Sequence, residues 1–191
     1  PDGKWFVLEV VDNMHDPYSD IAIVSAEGGK ITNITRSGYF DEMPRWVMDG
    51  NAILFLSERY GMRNHASWGS MSDVMLVFLN QDAYDKYRLN EEDYELYKEV
   101  EKIQKKNNNK NDDDKKEDKK DDKKEEKDES NKSLKDITVE LDGIEDRIVR
   151  LTPNSSNIGG AIITKDGENL YYLSAVEDGY DLWKIKLRKP D

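Results

Sequence analysis

The stretch "PRWVMDGNAILFLSERYG", from Pro44 to Gly61, decides the fold of this chain. It reads as one β-strand, a tight turn at Asp49-Gly50 and a second strand rich in β-branched and aromatic residues. An Asp-Gly pair tolerates the positive φ angles that a two-residue hairpin turn requires. The stretch therefore predicts a β-hairpin.

The hairpin pattern occurs twice more, at Asp2-Gly3 and at Asp166-Gly167. After each turn come a hydrophobic strand, a polar connection and an alternating strand headed by an aspartate. The three aspartates are Asp20, Asp73 and Asp181. Two of these strands continue into a further strand that ends in a threonine, at Thr35 and at Thr152. The chain is therefore built on an internal repeat.

The spacing of these elements supports the repeat. Thr35 precedes Gly50 by 15 positions, and Thr152 precedes Gly167 by 15 positions as well. Gly3 and Thr35 are 32 positions apart, whereas Gly50 and Thr152 are 102 apart, so 102 − 32 = 70 residues are inserted in the second unit. Without the insertion the unit has about 47 residues in four strands, A to D, which matches the blades of β-propellers.

We therefore predict an all-β fold, a fragment of a β-propeller with four-stranded antiparallel blades and a helical and disordered insertion in the middle blade. Blade 1 (1–43) lacks strand A, blade 2 (44–153) contains the insertion 80–143, and blade 3 (154–191) lacks strand D. A closed propeller needs about four to eight blades, so we expect a segment of a larger propeller. Its open edges favour a homo-oligomer.

The insertion predicts two helices followed by a charged spacer. Asp82 is the expected N-cap of the first helix and Asn90 that of the second. Apolar residues recur along the second helix and predict an amphipathic helix on the propeller rim, in preference to a partner-binding helix: Tyr94, Tyr97, Val100 and Ile103. Residues 107–132 contain no apolar side chain, so we expect a disordered spacer over 105–135. A further strand and a turn near Asp142-Gly143 are predicted after it.

The charge of the chain excludes several classes of partner. Its formal net charge is −12, and the surplus of acids repels phosphate groups, so we expect no nucleic-acid partner and no binding to anionic membranes. The longest apolar run, Val74 to Leu79, is too short to insert in a bilayer.

Cysteine is absent, which excludes disulfides, thiol nucleophiles and thiolate metal sites.

Only two histidines could serve as bases. His15 lies among three acids that could suggest a metal site, in a segment rich in turn formers, so we expect a structural or solvated role. The acids are Asp12, Asp16 and Asp20. His65 lies near Ser67 and Ser70 without the spacing of a nucleophile elbow, which argues against a catalytic triad.

The remaining polar and aromatic residues have structural explanations. Asp20, Asp73 and Asp181 are predicted to cap turns and fix hairpins, as is the set Ser57, Arg59 and Gly61. Trp46 and Trp183 are expected in the core between sheets. We therefore predict no catalytic residue, no metal site and no cofactor site.

Two patterns resemble known families. The pattern P-x-W, DG, S-x-R-x-G and D, from Pro44 to Asp73, resembles the TolB-like propeller repeat. The segment Ser67 to Leu96, with the charged spacer and "VELDGIEDRIVRLT" from Val139, is similar to bacterial homologues of tricorn protease, in which a helical segment and a charged spacer interrupt one propeller blade. With "GENLYYLSAVEDGYDLWKIKL", this resemblance covers nearly the whole chain.

The resemblance implies a large serine endopeptidase whose propellers precede a PDZ-like module and a catalytic region that carries the serine and histidine. None of those catalytic motifs has a matching position here. We expect a non-catalytic segment that admits or orients peptide or protein substrates of the parent protease, in the periplasm or alternatively in the cytoplasm. The alternatives are a TolB-like scaffold for a protein partner and the propeller of a prolyl-oligopeptidase-type enzyme.

Overall fold

A computed structural model describes residues 1–11, 16–62, 70–113, 136–175 and 177–188. For residues 105–113 it describes the backbone only. The chain forms two compact units: Pro1–Tyr87 with Lys135–Asp191, and Arg88–Leu134. His15, His65 and Ser67, together with most of the predicted spacer, lie outside the described residues. Within the described part, no helix is long and apolar enough to cross a membrane.

The first unit contains three antiparallel sheets. The first sheet consists of β1 (Trp5–Val11), β2 (Ser19–Ser25) and β3 (Thr32–Asn33). The middle sheet consists of β4 (Asp41–Val47), β5 (Ala52–Ser57), β6 (Asp73–Phe78) and β7 (Ile148–Arg150). The third sheet consists of β8 (Asn157–Ile163), β9 (Asn169–Ala175) and β10 (Tyr180–Lys186). Neighbouring strands in each sheet follow chain order, which confirms the predicted propeller-like all-β fold.

The repeated Asp-Gly pairs form the turns that the sequence predicts. Gly3, Gly50 and Gly167 all have positive φ, between 73° and 89°. In the first and third turns the aspartate side chain also accepts a backbone hydrogen bond from two residues on: Asp2 from the Lys4 N–H and Asp166 from the Glu168 N–H. The turn chemistry is therefore local and is encoded in the dipeptide.

The core lies on both faces of the middle sheet. Alternate residues of β5 and β6 pack toward the third sheet, among them Leu54, Leu76 and Phe78. The intervening residues pack toward the first sheet, among them Phe55 and Met75. Every residue of both strands is buried, which explains why these strands read as continuous apolar runs and not as alternating ones.

The predicted start of the second blade at Pro44 is three residues late. β4 begins at Asp41 and passes Pro44 through a β-bulge between Glu42 and Arg45, where Met43 adopts a φ of 55°. Proline has no N–H to give to a ladder, and the bulge removes it from the regular pairing. The strand can therefore include a residue that reads as a strand boundary.

The insertion leaves the middle sheet through α1 (Gln81–Arg88). The predicted cap at Asp82 is wrong, because Asp82 lies within the first turn and Asn80 Oδ1 accepts the Ala83 N–H at 2.8 Å. The strand predicted before Asp142-Gly143 joins no sheet. The Glu140 N–H in this segment donates to the carbonyl of Leu79, the residue that follows β6.

The second unit contains α2 (Glu91–Asp113). Asn90 caps it as predicted: its Oδ1 accepts the Asp93 N–H at 2.8 Å, and its Nδ2 donates to the Asp93 carboxylate at 2.7 Å. The helix runs nine residues into the segment predicted as disordered from 105, because that stretch contains neither proline nor glycine to end it. Val100 and Ile103, at the end of the predicted stripe, are exposed.

Candidate functional site

The first candidate feature is the aspartate that heads β2. Asp20 is buried and accepts hydrogen bonds from the Ser37 N–H at 2.6 Å, from Asn33 Nδ2 at 2.7 Å and from Thr35 Oγ1 at 3.3 Å. The Thr35 hydroxyl also accepts the Ile21 N–H at 3.0 Å. We call these residues the first clamp, because they tie β2 to the end of β3.

The same arrangement occurs in the middle sheet. Asp73 is buried and accepts from Thr152 Oγ1 at 2.7 Å, from Ser155 Oγ at 2.7 Å and from Arg150 Nε at 3.0 Å. Thr152 Oγ1 in turn accepts the Val74 N–H at 3.2 Å. This second clamp reproduces the first although the whole insertion separates its two halves.

The two clamps explain how carboxylates can be buried here. Removing a carboxylate from water is costly unless hydrogen-bond donors replace the water, and each clamp supplies at least three donors. Asp20 and Asp73 therefore fix the pairing of strands C and D of the repeat, which are β2 with β3 in the first sheet and β6 with β7 in the middle sheet, as the predicted hairpin-fixing role requires. The donors occupy at least three of the roughly four lone-pair sites of each carboxylate. Among the described residues, no group of three or more acidic or histidine side chains could hold a metal ion.

The third aspartate of the set lies in a different environment. Asp181 is opposite Ser174 across β9 and β10, as Asp73 is opposite Ser57 across β5 and β6. Asp181 is nevertheless exposed, and no donor from the described residues reaches its carboxylate. β10 is an edge strand of its sheet, so the fourth strand that would supply the donors is not among the described elements.

The predictions for the two tryptophans have different outcomes. Trp46 is partly buried and packs against the core between the first and middle sheets, as predicted. Trp183 is 45% exposed, so its prediction as a core residue is wrong. Trp183 lies on β10, which is an edge strand of the third sheet, and no described strand lies beside its open edge.

The set Ser57, Arg59 and Gly61 fixes the end of a hairpin, as predicted. Arg59 Nη2 makes an ion pair with the buried Asp41 at 2.7 Å, and Arg59 Nε donates to Ser57 Oγ at 2.9 Å. A Cβ on Gly61 would lie 1.6 Å from the Met71 carbonyl oxygen, so only glycine allows the chain to pass there. The partner carboxylate was not identified from sequence, because Asp41 precedes the strand boundary that Pro44 suggested.

Arg147 is a second residue that the sequence analysis missed. It is buried and donates to three backbone carbonyls: Nε to Phe78 at 3.2 Å, Nη1 to Asp142 at 3.0 Å and Nη2 to Glu140. These contacts hold the returning end of the insertion beside β6. Its partners are backbone atoms, which leave no complementary side chain in the sequence to identify.

A cleft of about 310 Å³ lies beside the third sheet. Its lining is mostly apolar, with one cationic side chain: Arg45, Gly160, Ala161, Ile162, Tyr171, Tyr172, Leu173 and Leu182. Arg45 lies on β4 and Gly160 on β8, so the cleft spans the first strands of two neighbouring sheets. Such a surface can hold an apolar side chain and place a carboxylate near the guanidinium.

No family model and no curated protein matches the chain. Its fold is similar to that of a solved structure described as the crystal structure of the tricorn protease, with a TM-score of 0.52 and 11% sequence identity. The similarity covers 98% of this chain and 16% of that chain. At 11% identity, this similarity is evidence for the fold alone. The chain thus has a tricorn-like propeller fold and spans less than a fifth of the protein that it resembles.

Proposed function

We propose that this chain is a non-catalytic propeller segment of a tricorn-like serine peptidase, in which it acts as a scaffold or gate for peptide substrates. The observation that carries the proposal is the fold: three sheets on one plan, similar over nearly the whole chain to the tricorn protease. Propellers of this kind surround a central channel, which suits the passage of an extended peptide.

The cleft between β4 and β8 supports a peptide-binding role. Ile162 and Leu182 are 60% and 70% exposed, so apolar surface is available to a ligand. Arg45 places a positive charge at the cleft of a chain whose net charge is −12. The expected ligand is therefore a short peptide that places an apolar side chain beside a carboxylate, either its C-terminus or an acidic residue.

The non-catalytic part of the proposal is tested by hydrolysis. The purified 191-residue chain is incubated with fluorogenic peptides that end in apolar or acidic residues, and release of the fluorophore is followed. We expect no release above the rate without protein. Hydrolytic activity that copurifies with the chain would overturn the proposal.

The binding part is tested with one apolar peptide made twice, with a free C-terminal carboxylate and with a C-terminal amide. Fluorescence anisotropy should show tighter binding of the carboxylate form. Arg45→Gln should remove that preference, whereas the charge-matched control Lys30→Gln, at an exposed residue, should retain it. Equal affinities for the two peptides, or a preference that survives Arg45→Gln, would contradict the proposed site. Binding of folded proteins but of neither peptide would favour the TolB-like scaffold.

A further inference from the structure

The apolar residues of α2 do not form a single face. An α-helix turns by about 100° per residue, so residues spaced three apart drift by about 60° around its axis at each step. The predicted stripe has this spacing, and its ends therefore lie on opposite sides of the helix: Tyr94 is buried, whereas Ile103 is 58% exposed. Tyr94 also stacks on Tyr97, at 6.4 Å between ring centroids, and the Lys98 ammonium lies over its ring. The tyrosine end of the stripe is packed, and the other end is not.

Three large apolar side chains make up a second face of α2. Leu96, Val100 and Ile103 are 60%, 44% and 58% exposed. Their spacings of four and three residues are those of the d, a and d positions of a coiled-coil heptad, which lie on one side of a helix. Residues 107–132 contain no apolar side chain, so that part of the chain offers no hydrophobic surface to cover them. We call these three residues the α2 seam.

Charge is divided along α2. From Glu91 to Glu101 the sequence contains six acids and one lysine, whereas from Lys102 to Lys110 it contains four lysines and no acid. This division suits the dipole of a single helix, and it also determines how two such helices can pair. In the same direction, they would bring acids beside acids and lysines beside lysines. In opposite directions, each acidic half lies along a basic half.

We propose that the α2 seam is a self-association site, at which α2 of a second copy of the chain packs in the antiparallel direction. Val100 of each copy lies beside Ile103 of the other, so the contact is closed by two-fold symmetry. In this register Glu99, which borders the seam, lies near Lys106 of the second copy, a position seven residues further along the same border. The contact is apolar at its centre and has opposite charges along its sides.

The surroundings of the seam favour a second copy over other occupants. An anionic membrane or a nucleic acid would be repelled by Glu92 and Glu99, which are exposed and border the seam. A partner helix of one charge would match only half of α2, whereas an antiparallel copy matches both halves. The apolar area is small, so the expected dimer is weak and reversible. It does not depend on the proposed peptide-binding role, because the seam lies outside the three sheets.

Sedimentation velocity of the full chain, from micromolar to millimolar concentration, tests the association. We expect the weight-average mass to rise reversibly from that of one chain toward that of two. Ile103→Gln should raise the dimer dissociation constant at least about tenfold, because it puts a polar amide at the centre of the contact. Ile31→Gln is the matched control, the same substitution at an isoleucine that is 52% exposed outside α2, and should leave the constant unchanged.

The direction of pairing is tested by removing acids. Glu92→Gln combined with Glu99→Gln should raise the dissociation constant by about threefold or more, since each acidic half loses attraction to the lysines of the other copy. Parallel pairing predicts a tighter dimer instead, because the same change would remove a repulsion. Glu27→Gln combined with Asp178→Asn removes the same charge at exposed residues outside α2 and should not weaken the dimer.

Circular dichroism of each variant should match that of the wild-type chain, because all the substituted side chains are exposed. Three results would overturn the proposal. They are a chain that stays monomeric at millimolar concentration, a dimer that Ile103→Gln leaves unchanged, and a dimer that tightens when Glu92 and Glu99 are neutralised. The second of these results would place the contact on another surface of the chain.

Discussion

The middle and third sheets follow one plan but differ in burial. Ser57 is opposite Asp73 in the first and Ser174 is opposite Asp181 in the second, so their strands correspond residue by residue. All residues of β5 and β6 are buried, whereas six of the seven residues of β10 are exposed and none is buried. The difference shows that burial in a repeat is set by the neighbouring strands and sheets, and only secondarily by the strand itself.

The largest expected difference between the sheets concerns their aspartates. Asp73→Ala should lower the free energy of unfolding by about 3 kcal/mol, because it leaves Arg150, Thr152 and Ser155 without their shared acceptor. Asp181→Ala should change it by less than about 0.5 kcal/mol, because the side chain is exposed and without a described donor. Urea unfolding followed by circular dichroism measures both.

A similar loss in both variants would show that Asp181 is already clamped in the free chain. Asp73→Asn serves as the intermediate case, since it keeps one acceptor oxygen and the shape of the side chain. We expect Asp73→Asn to lower the free energy of unfolding, but by less than Asp73→Ala does.

A smaller difference is expected for the next residue along each strand. Val74→Ala should cost about 2 kcal/mol, because it removes buried methyl groups and leaves a cavity in the core between the middle and third sheets. Leu182→Ala should cost less than about 0.5 kcal/mol, although it removes more carbon atoms, since Leu182 is 70% exposed. Thermal unfolding of the two variants would settle the point, and a larger loss at Leu182 would contradict the assigned open edge.

The smallest effect is expected at the edge strand of the middle sheet itself. Partial burial, followed by the nearby charges of Glu9 and Glu58, raises the pKa of Glu42. The folded chain therefore holds this proton more tightly than the unfolded chain, and stability is lost as the pH rises from the ordinary glutamate pKa through the raised one. Because Glu42 is largely exposed, solvent screens the effect.

Glu42→Gln should thus be slightly more stable than the wild-type chain at pH 7, by less than about 0.5 kcal/mol, and equally stable well below the ordinary glutamate pKa. Urea unfolding at the two pH values measures the difference. A variant that is less stable at pH 7 would show that the Glu42 carboxylate makes a favourable contact at the bulge.

The repeat could be predicted from sequence because its signals are local. Three signals keep their spacing despite the insertion. They are the Asp-Gly turns, the aspartate at the head of each strand C and the threonine at the end of strand D. The Asn90 cap was predicted for the same reason. Errors arose where a local signal was ambiguous: Pro44 suggested a strand boundary that the bulge removes, and Asp82 competed with Asn80 as a cap.

The candidate sites could be predicted only in part. The clamp aspartates stood out as repeated residues, but their partners lie 13 to 17 positions away in the first sheet and 77 to 82 positions away in the middle sheet. Arg147 bonds to carbonyl groups, which every residue has, so no pattern marks it. The cleft joins Arg45 to Gly160 and Leu182, which are brought together only when β4 and β8 become neighbours.

The sequence by itself determined the four-stranded plan, the turns and the place of the insertion, because periodicity, turn residues and helix caps act over a few positions along the chain. The tertiary structure alone decided how the three equivalent aspartates differ in burial and in hydrogen bonding. That outcome depends on whether a fourth strand and a neighbouring sheet surround each aspartate, and the desolvation and hydrogen bonding of a carboxylate follow from those surroundings.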